Sequence, residues 1–222
     1  MTILVPPRAH ANIACAVEGF SLSNTISGVR QVLTGTVDAV SAAADTIEVT
    51  VTAANMAGTP AAVNVGLALA DTKPQVAAKI ADALALDAGI AAWFDIATDG
   101  DDVVLTRKIH AANDPTMAIA VTADLGATGV TITDAITTPG SLATSCTITL
   151  TPDVTYAAVP ALIGVPQHVP DAAGSAATTM TWKVTSQSTS AIVLTVTLDQ
   201  APGAGKTDTI VFNGGLIGIP AR

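Results

Sequence analysis

Residues 46–86, TIEVTVTAANMAGTPAAVNVGLALADTKPQVAAKIADALAL, carry two hydrophobic periods in succession, and the change from one to the other decides the fold. Ile47, Val49 and Val51 alternate with Thr46, Glu48, Thr50 and Thr52, the period-two pattern of a half-buried strand. Met56, Ala57, Gly58 and Thr59 supply a short turn, and the Val-rich run at 61–69 is placed to pair back as a hairpin. The period then lengthens. Thr72 is a helix cap, Gln75 its capping-box partner and Pro74 a first-turn proline, and Val76, Ala77, Ile80, Ala83 and Leu84 fall on one helical face. That face is predicted to bury against the hairpin, with Lys79 and Asp82 in water, giving one α/β layer pair.

Downstream, a short helical turn after Asp87 carries Ile90, Trp93 and Phe94 inward. Residues 94–98 and 102–108 then read as a hairpin about Asp99, Gly100 and Asp101, with further strands at 117–122 and 129–136. Thr137, Thr138, Pro139, Gly140 and Ser141 mark a boundary beyond which no helical period returns. Strands are predicted at 145–151, 178–186, 191–198 and 208–213, with a Pro-punctuated ordered loop at 159–170, and together they read as a small β-sandwich. Upstream, residues 1–35 read as an extended arm containing Pro6 and Pro7, followed by strand-like pieces at 12–20 and 29–35. The expected architecture is mainly β with a smaller α/β portion. An N-terminal arm and first strands (1–35) precede an α+β module of hairpin, helix and hairpin (36–139), and a β-sandwich-like domain (140–222) follows.

Composition narrows the function. The 222 residues can bury a core without disulfides or metals, so no cofactor is expected. Nine Lys plus Arg against eighteen Asp plus Glu leave a net charge of −9, a field that repels phosphate backbones and anionic lipid and argues against nucleic-acid binding. Mean hydropathy is +0.54, yet the apolar residues are interrupted throughout, and no apolar run reaches the roughly 18 residues of a membrane span. The first seventeen residues, MTILVPPRAHANIACAV, lack a basic leader, and Pro6 and Pro7 break the apolar stretch, so synthesis in the cytoplasm is expected. Catalysis draws on convergent titratable side chains, and His10, His110 and His168 stand far apart with no recurrent partner spacing, so the reading is non-enzymatic.

Several motifs invite chemistry. Gly203, Ala204, Gly205, Lys206 and Thr207 imitate the end of a phosphate-binding loop, but Gln200 stands where that motif needs Gly, and the β-branched run after Asp208 predicts a strand where it needs a helix. Asp99, Asp101 and Asp102, with Asp95 nearby, are weak candidates for a metal, best imagined as a subunit-bridging cation. Asp-Gly between strands is ordinary turn chemistry, and the spacing fits no EF-hand. Cys15 shares parity with Ile13 and Val17, and Cys146 with Ile148 and Leu150, so both read as core-facing thiols, free in a reducing compartment, with a disulfide as the other reading. Trp93, Trp182, Tyr156 and the three Phe are dispersed and read as core packing.

The pieces VNVGLALADTKPQVAAKIADALA, VVLTRK after an Asp-Gly turn, and ANDPTMAIAV resemble a module of tailed-bacteriophage virion proteins, found in contractile-tail sheath subunits and in other head and tail components. The C-terminal TWKVTSQSTSAIVLTVTLDQAPGAGKTDTIVF is similar to small β domains of phage fibre and surface proteins. The resemblance brings no catalytic residues. It implies a structural subunit of the virion, made in the host cytoplasm. The favoured form is a capsid decoration or cement protein that assembles with copies of itself and with the major capsid protein, with no membrane partner. A tail tube or tail-associated subunit and a fibre or receptor-binding module using residues 159–174 are the alternatives. Residues 1–20, with Ile3, Leu4, Val5, Pro6 and Pro7 as interface candidates, are expected to lie over a neighbouring subunit.

Overall fold

The structure, a computed structural model, describes residues 16–218 and 221. Ile3, Leu4, Val5, Pro6, Pro7, His10 and Cys15 lie outside the described residues. In chain order the first elements are β1 (Ala16–Ile26), β2 (Gly28–Val29), β3 (Val32–Val37), β4 (Thr46–Thr52), β5 (Ala61–Gly66), α1 (Lys73–Leu86) and α2 (Ala88–Trp93). Then come β6 (Phe94–Asp99), β7 (Asp102–Arg107), β8 (Ala118–Asp124), β9 (Ile132–Thr138), β10 (Ser141–Leu142) and β11 (Ser145–Leu150). The last are β12 (Ala161–Ile163), β13 (Pro166–Val169), β14 (Met180–Gln187), β15 (Ile192–Leu198) and β16 (Asp208–Gly218). The protein is mainly β with a small helical part, and among the described residues no helix is long and apolar enough to cross a membrane.

Two compact units divide the chain. One comprises residues 27–143 and 202–206. Its strands form an antiparallel sheet of order β6-β7-β3-β9 and a second of order β5-β4-β8, with β2 and β10 as a short separate pair. The hairpin of β4 and β5 runs in the register Thr46↔Gly66 to Val51↔Ala61, which puts Ile47, Val49 and Val51 fully inside. Helix α1 begins as its sequence dictates: the Gln75 side-chain oxygen accepts the Thr72 amide at 2.9 Å and the Thr72 hydroxyl at 3.0 Å. Its buried residues are Val76, Ala77, Ile80, Ala81 and Leu84, while Ala83 sits at the core margin, so the apolar stripe lies slightly to one side of the expected one. Lys79 stays partly in water and pairs with the Asp71 carboxylate, whose pKa this contact and the Ala68 amide lower.

Strand β3 sits at the centre of the four-stranded sheet, pairing β7 on one side and β9 on the other. Leu33, Gly35 and Val37 face inward, and glycine is required at 35 by proximity. A Cβ there would stand 2.6 Å from Ile119 Cγ2 and 3.0 Å from Ile132 Cγ2. The module therefore begins before residue 36, because its central strand comes from the stretch assigned to the N-terminal segment.

The other unit comprises, among the described residues, 16–26, 144–201, 207–218 and 221. Here β16 pairs β1 along its whole length, from Ala16↔Gly218 to Ile26↔Asp208, and on its other side takes both β12 and β13. A three-stranded sheet of order β11-β15-β14 is the second sheet of this unit. Ile192, Leu194, Val196 and Leu198 line the inner face of β15, and Ile210, Phe212 and Leu216 are buried on β16.

Two expectations are corrected here. Residues 16–20 of the anticipated arm are paired in register with residues 214–218. The supposed loop at 159–170 contains two strands. Pro166 occupies the first position of β13, where a missing amide is tolerated, and Gly164, at φ 108°, turns the chain between β12 and β13 beside the Gly214 backbone.

Candidate functional site

The alternation of β7, DVVLTR, puts Val103, Leu105 and Arg107 on one face, so the strand that supplies core residues ends by directing an arginine inward. Arg107 is 7% exposed. Its guanidinium carbon lies 5.4 Å from the centroid of the Trp93 ring, a cation–π contact. No carboxylate among the described residues is within ion-pair distance of it, and its buried Nε has no hydrogen-bond partner. The buried indole Nε1 of Trp93 is likewise unpartnered.

Both side chains line an open cleft of about 600 Å³. Its other walls are largely apolar and include Ala54, Ile109, Ala111, Pro115, Leu142 and Ala204, with Ile109 and Leu142 exposed at the rim. The wall at 109–116 is held in place by buried Gln31, whose amide nitrogen donates to the Asp114 carbonyl and whose amide oxygen accepts the Asp114 N–H, both at 2.8 Å. Asp114 is the nearby acid. Its carboxylate accepts the Ala54 amide at 2.6 Å, the Thr116 amide at 3.0 Å and the Thr116 hydroxyl at 2.6 Å. Burial pushes its pKa up, but these donors and the charge of Arg107 outweigh burial and hold it below the usual carboxylate value. The acid is therefore ionised, hydrogen-bonded to neutral donors with Arg107 as a nearby counter-charge, while the arginine's Nε has no partner among the described residues.

A second feature lies in the other unit. Met180, Trp182 and Val184 of β14 stand opposite Leu198, Val196 and Leu194 of β15, continuing the buried apolar row of the sheet. On β14 that row is uncovered: Trp182 is 37% and Val184 40% exposed. Among the described residues β15 is the one strand paired with β14, which makes β14 an edge strand of its sheet. Of the residues expected in the core, Trp93 packs against it while lining the cleft, Phe94, Phe212 and Tyr156 are buried, Phe20 is half-buried and Trp182 stands on the open edge.

The residues singled out by motif are placed as follows. Asp99 and Asp102 are register partners closing the β6–β7 turn, with Gly100 at φ 60°, and Asp102 accepts the Thr36 hydroxyl at 2.6 Å. Among the described residues, no group of three or more His, Cys, Asp or Glu is arranged to hold a metal, so Asp99, Asp101 and Asp102 do not form one. The 203–207 run is a loop leading into β16 and not into a helix; the Gly205 amide donates to the His110 carbonyl at 3.0 Å, and His110 Nε2 lies 2.7 Å from the Lys206 carbonyl. His168 Nε2 lies 2.7 Å from buried Asp208, and the Ser175 hydroxyl donates to the same carboxylate oxygen at 2.6 Å. Serine and histidine here converge on the acid; in a nucleophilic triad the histidine stands between the other two. Cys146 is a free thiol, half-buried on the parity of Ile148 and Leu150, and burial raises its pKa.

Neither Arg107 nor Trp93 was marked as functional by sequence motif; the signal available was the parity of an arginine two positions after Leu105. No protein-family model and no curated protein matches this chain.

Proposed function

We propose that the chain is a non-enzymatic structural subunit of a tailed-phage virion, most simply a capsid decoration or cement protein working through contacts with copies of itself and with the major capsid protein. The observation that supports it is the apolar row of half-buried Met180 with exposed Trp182 and Val184 on an edge strand. An open edge offers unpaired backbone groups, and apolar side chains beside it favour its completion by another chain. The net charge of −9 also suits a tail tube, whose acidic lumen would not retain passing DNA.

Light scattering behind size exclusion, with negative-stain microscopy of the same fraction, tests the reading. A discrete oligomer that is lost in Trp182→Lys/Val184→Lys supports a decoration subunit, and rings or tubes move the assignment to the tail. Wild-type and double variant that are both monomeric, and both indifferent to purified capsids, would sink it.

A further inference from the structure

We propose that the Arg107–Trp93 cleft is a binding site for a carboxylate carried on a short apolar body. This inference stands on the cleft alone and is independent of the virion reading. Arg107 is 7% exposed, and although the Asp114 carboxylate is close enough to feel its charge, no carboxylate among the described residues forms an ion pair with the guanidinium, which is an unusual arrangement for a buried charge. The cation–π contact with Trp93 supplies the guanidinium with no hydrogen-bond acceptor, and its buried Nε has no partner among the described residues. The indole N–H of Trp93 is a second buried donor lacking an acceptor.

The chemistry of a fitting ligand follows from the cleft's walls. It must accept hydrogen bonds and be negative, and the planar fork of an arginine matches the two oxygens of a carboxylate. Asp114, already ionised, disfavours a second large negative charge nearby, which selects a monoanion over a phosphate dianion. Ala54, Ile109, Pro115 and Leu142 offer the remainder of the ligand an apolar surface, and about 600 Å³ lies within the usual range for small-molecule sites. Gln31 and Asp114 fix the far wall, so the site is preorganised. Such a carboxylate is either a free organic acid or an acidic side chain presented by a neighbouring protein chain.

The test uses the full-length chain carrying Trp182→Phe, so that the emission reports Trp93, titrated with sodium hexanoate and, separately, with uncharged hexanamide. Hexanoate is expected to give a saturable change with a dissociation constant on the order of millimolar, and hexanamide to bind at least about tenfold more weakly. Arg107→Gln, checked for native circular dichroism, should lose that preference, and Arg107→Lys should keep part of it. Equal responses to hexanoate and hexanamide, or an undiminished preference in Arg107→Gln, would overturn the assignment; the first comparison needs no variant at position 107. Light scattering of the wild-type chain then identifies the source. Dissociation of oligomers by hexanoate indicates an acidic side chain from another copy, and an unchanged mass together with specific binding indicates a free acid.

Discussion

Asp208 opens β16 with its carboxylate fully buried, accepting from His168 Nε2 at 2.7 Å, the Ser175 hydroxyl at 2.6 Å and the Asp171 amide at 2.8 Å. Burial raises its pKa, but Ser175, the Asp171 amide and His168 outweigh it, so the folded-state value lies below the usual carboxylate value. A depressed carboxyl pKa contributes stability that is complete above the unfolded-state value and is lost as pH falls through the folded one. The wild-type chain should therefore lose stability as pH drops below about 4, and Asp208→Asn should flatten the curve in that window. At neutral pH the same substitution should cost about 2–4 kcal/mol in urea unfolding, because buried donors lose an ionised acceptor. This cluster was illegible in the sequence: residues 168, 175 and 208 share no local pattern, and only the pairing of β13 with β16 brings them together. Arg107 was legible in principle, since the strand's own alternation fixes its face.

Elements were the best-read level, because their signals are local. The hairpin of β4 and β5, the cap of α1 and the Asp-Gly turn between β6 and β7 follow directly from periodicity and turn chemistry. Ile80 is fully buried on α1, so Ile80→Asp should cost upwards of about 4 kcal/mol through an unpaired buried charge and abolish a cooperative melt by circular dichroism. Gly35→Val should be comparably disruptive, since its side chain would collide with Ile119 and Ile132. By contrast, Trp182→Lys/Val184→Lys touches a half-exposed edge and should shift the urea midpoint little, by about 0.5 kcal/mol per substitution, even where it dissolves an assembly. The alternation of β14 reads as a buried row in the sequence, and whether anything covers such a row is decided by neighbouring strands. The Pro-rich 159–170 segment was misread because prolines at strand starts and margins look, one residue at a time, like loop punctuation.

At the scale of the molecule, the α+β unit is inserted into the β unit. The chain enters it at Ser27 and leaves it at Ala143, and the Ala143 amide donates to the Ser27 carbonyl at 2.7 Å. Removing residues 27–143 and joining 26 to 144 by a short Gly-Ser linker should leave a β-rich protein with one cooperative urea transition; a non-cooperative product would show that the β unit depends on its insert. The proposed arm is tested by deleting residues 1–15, since a longer cut enters β1. The truncated chain should remain folded and join particles poorly, as co-sedimentation would show. The sequence could not reveal the nesting, because the bond between β1 and β16 joins opposite ends of the described chain and leaves no local mark on either.

That bond sets an order of events during synthesis. When residue 143 has left the ribosome, the inserted unit has all of its strands and both of its helices and lacks only the short 202–206 loop, so it can close at once. β1, the first of the described strands, has no strand partner among the described residues until β16 emerges and must wait beside it unpaired. Nascent chains arrested with about 150 residues exposed should accordingly protect residues 27–143 from protease and leave residues 16–26 open to cleavage. The first of the described strands is among the last to be secured, and a ribosome-bound holding factor would be most needed there.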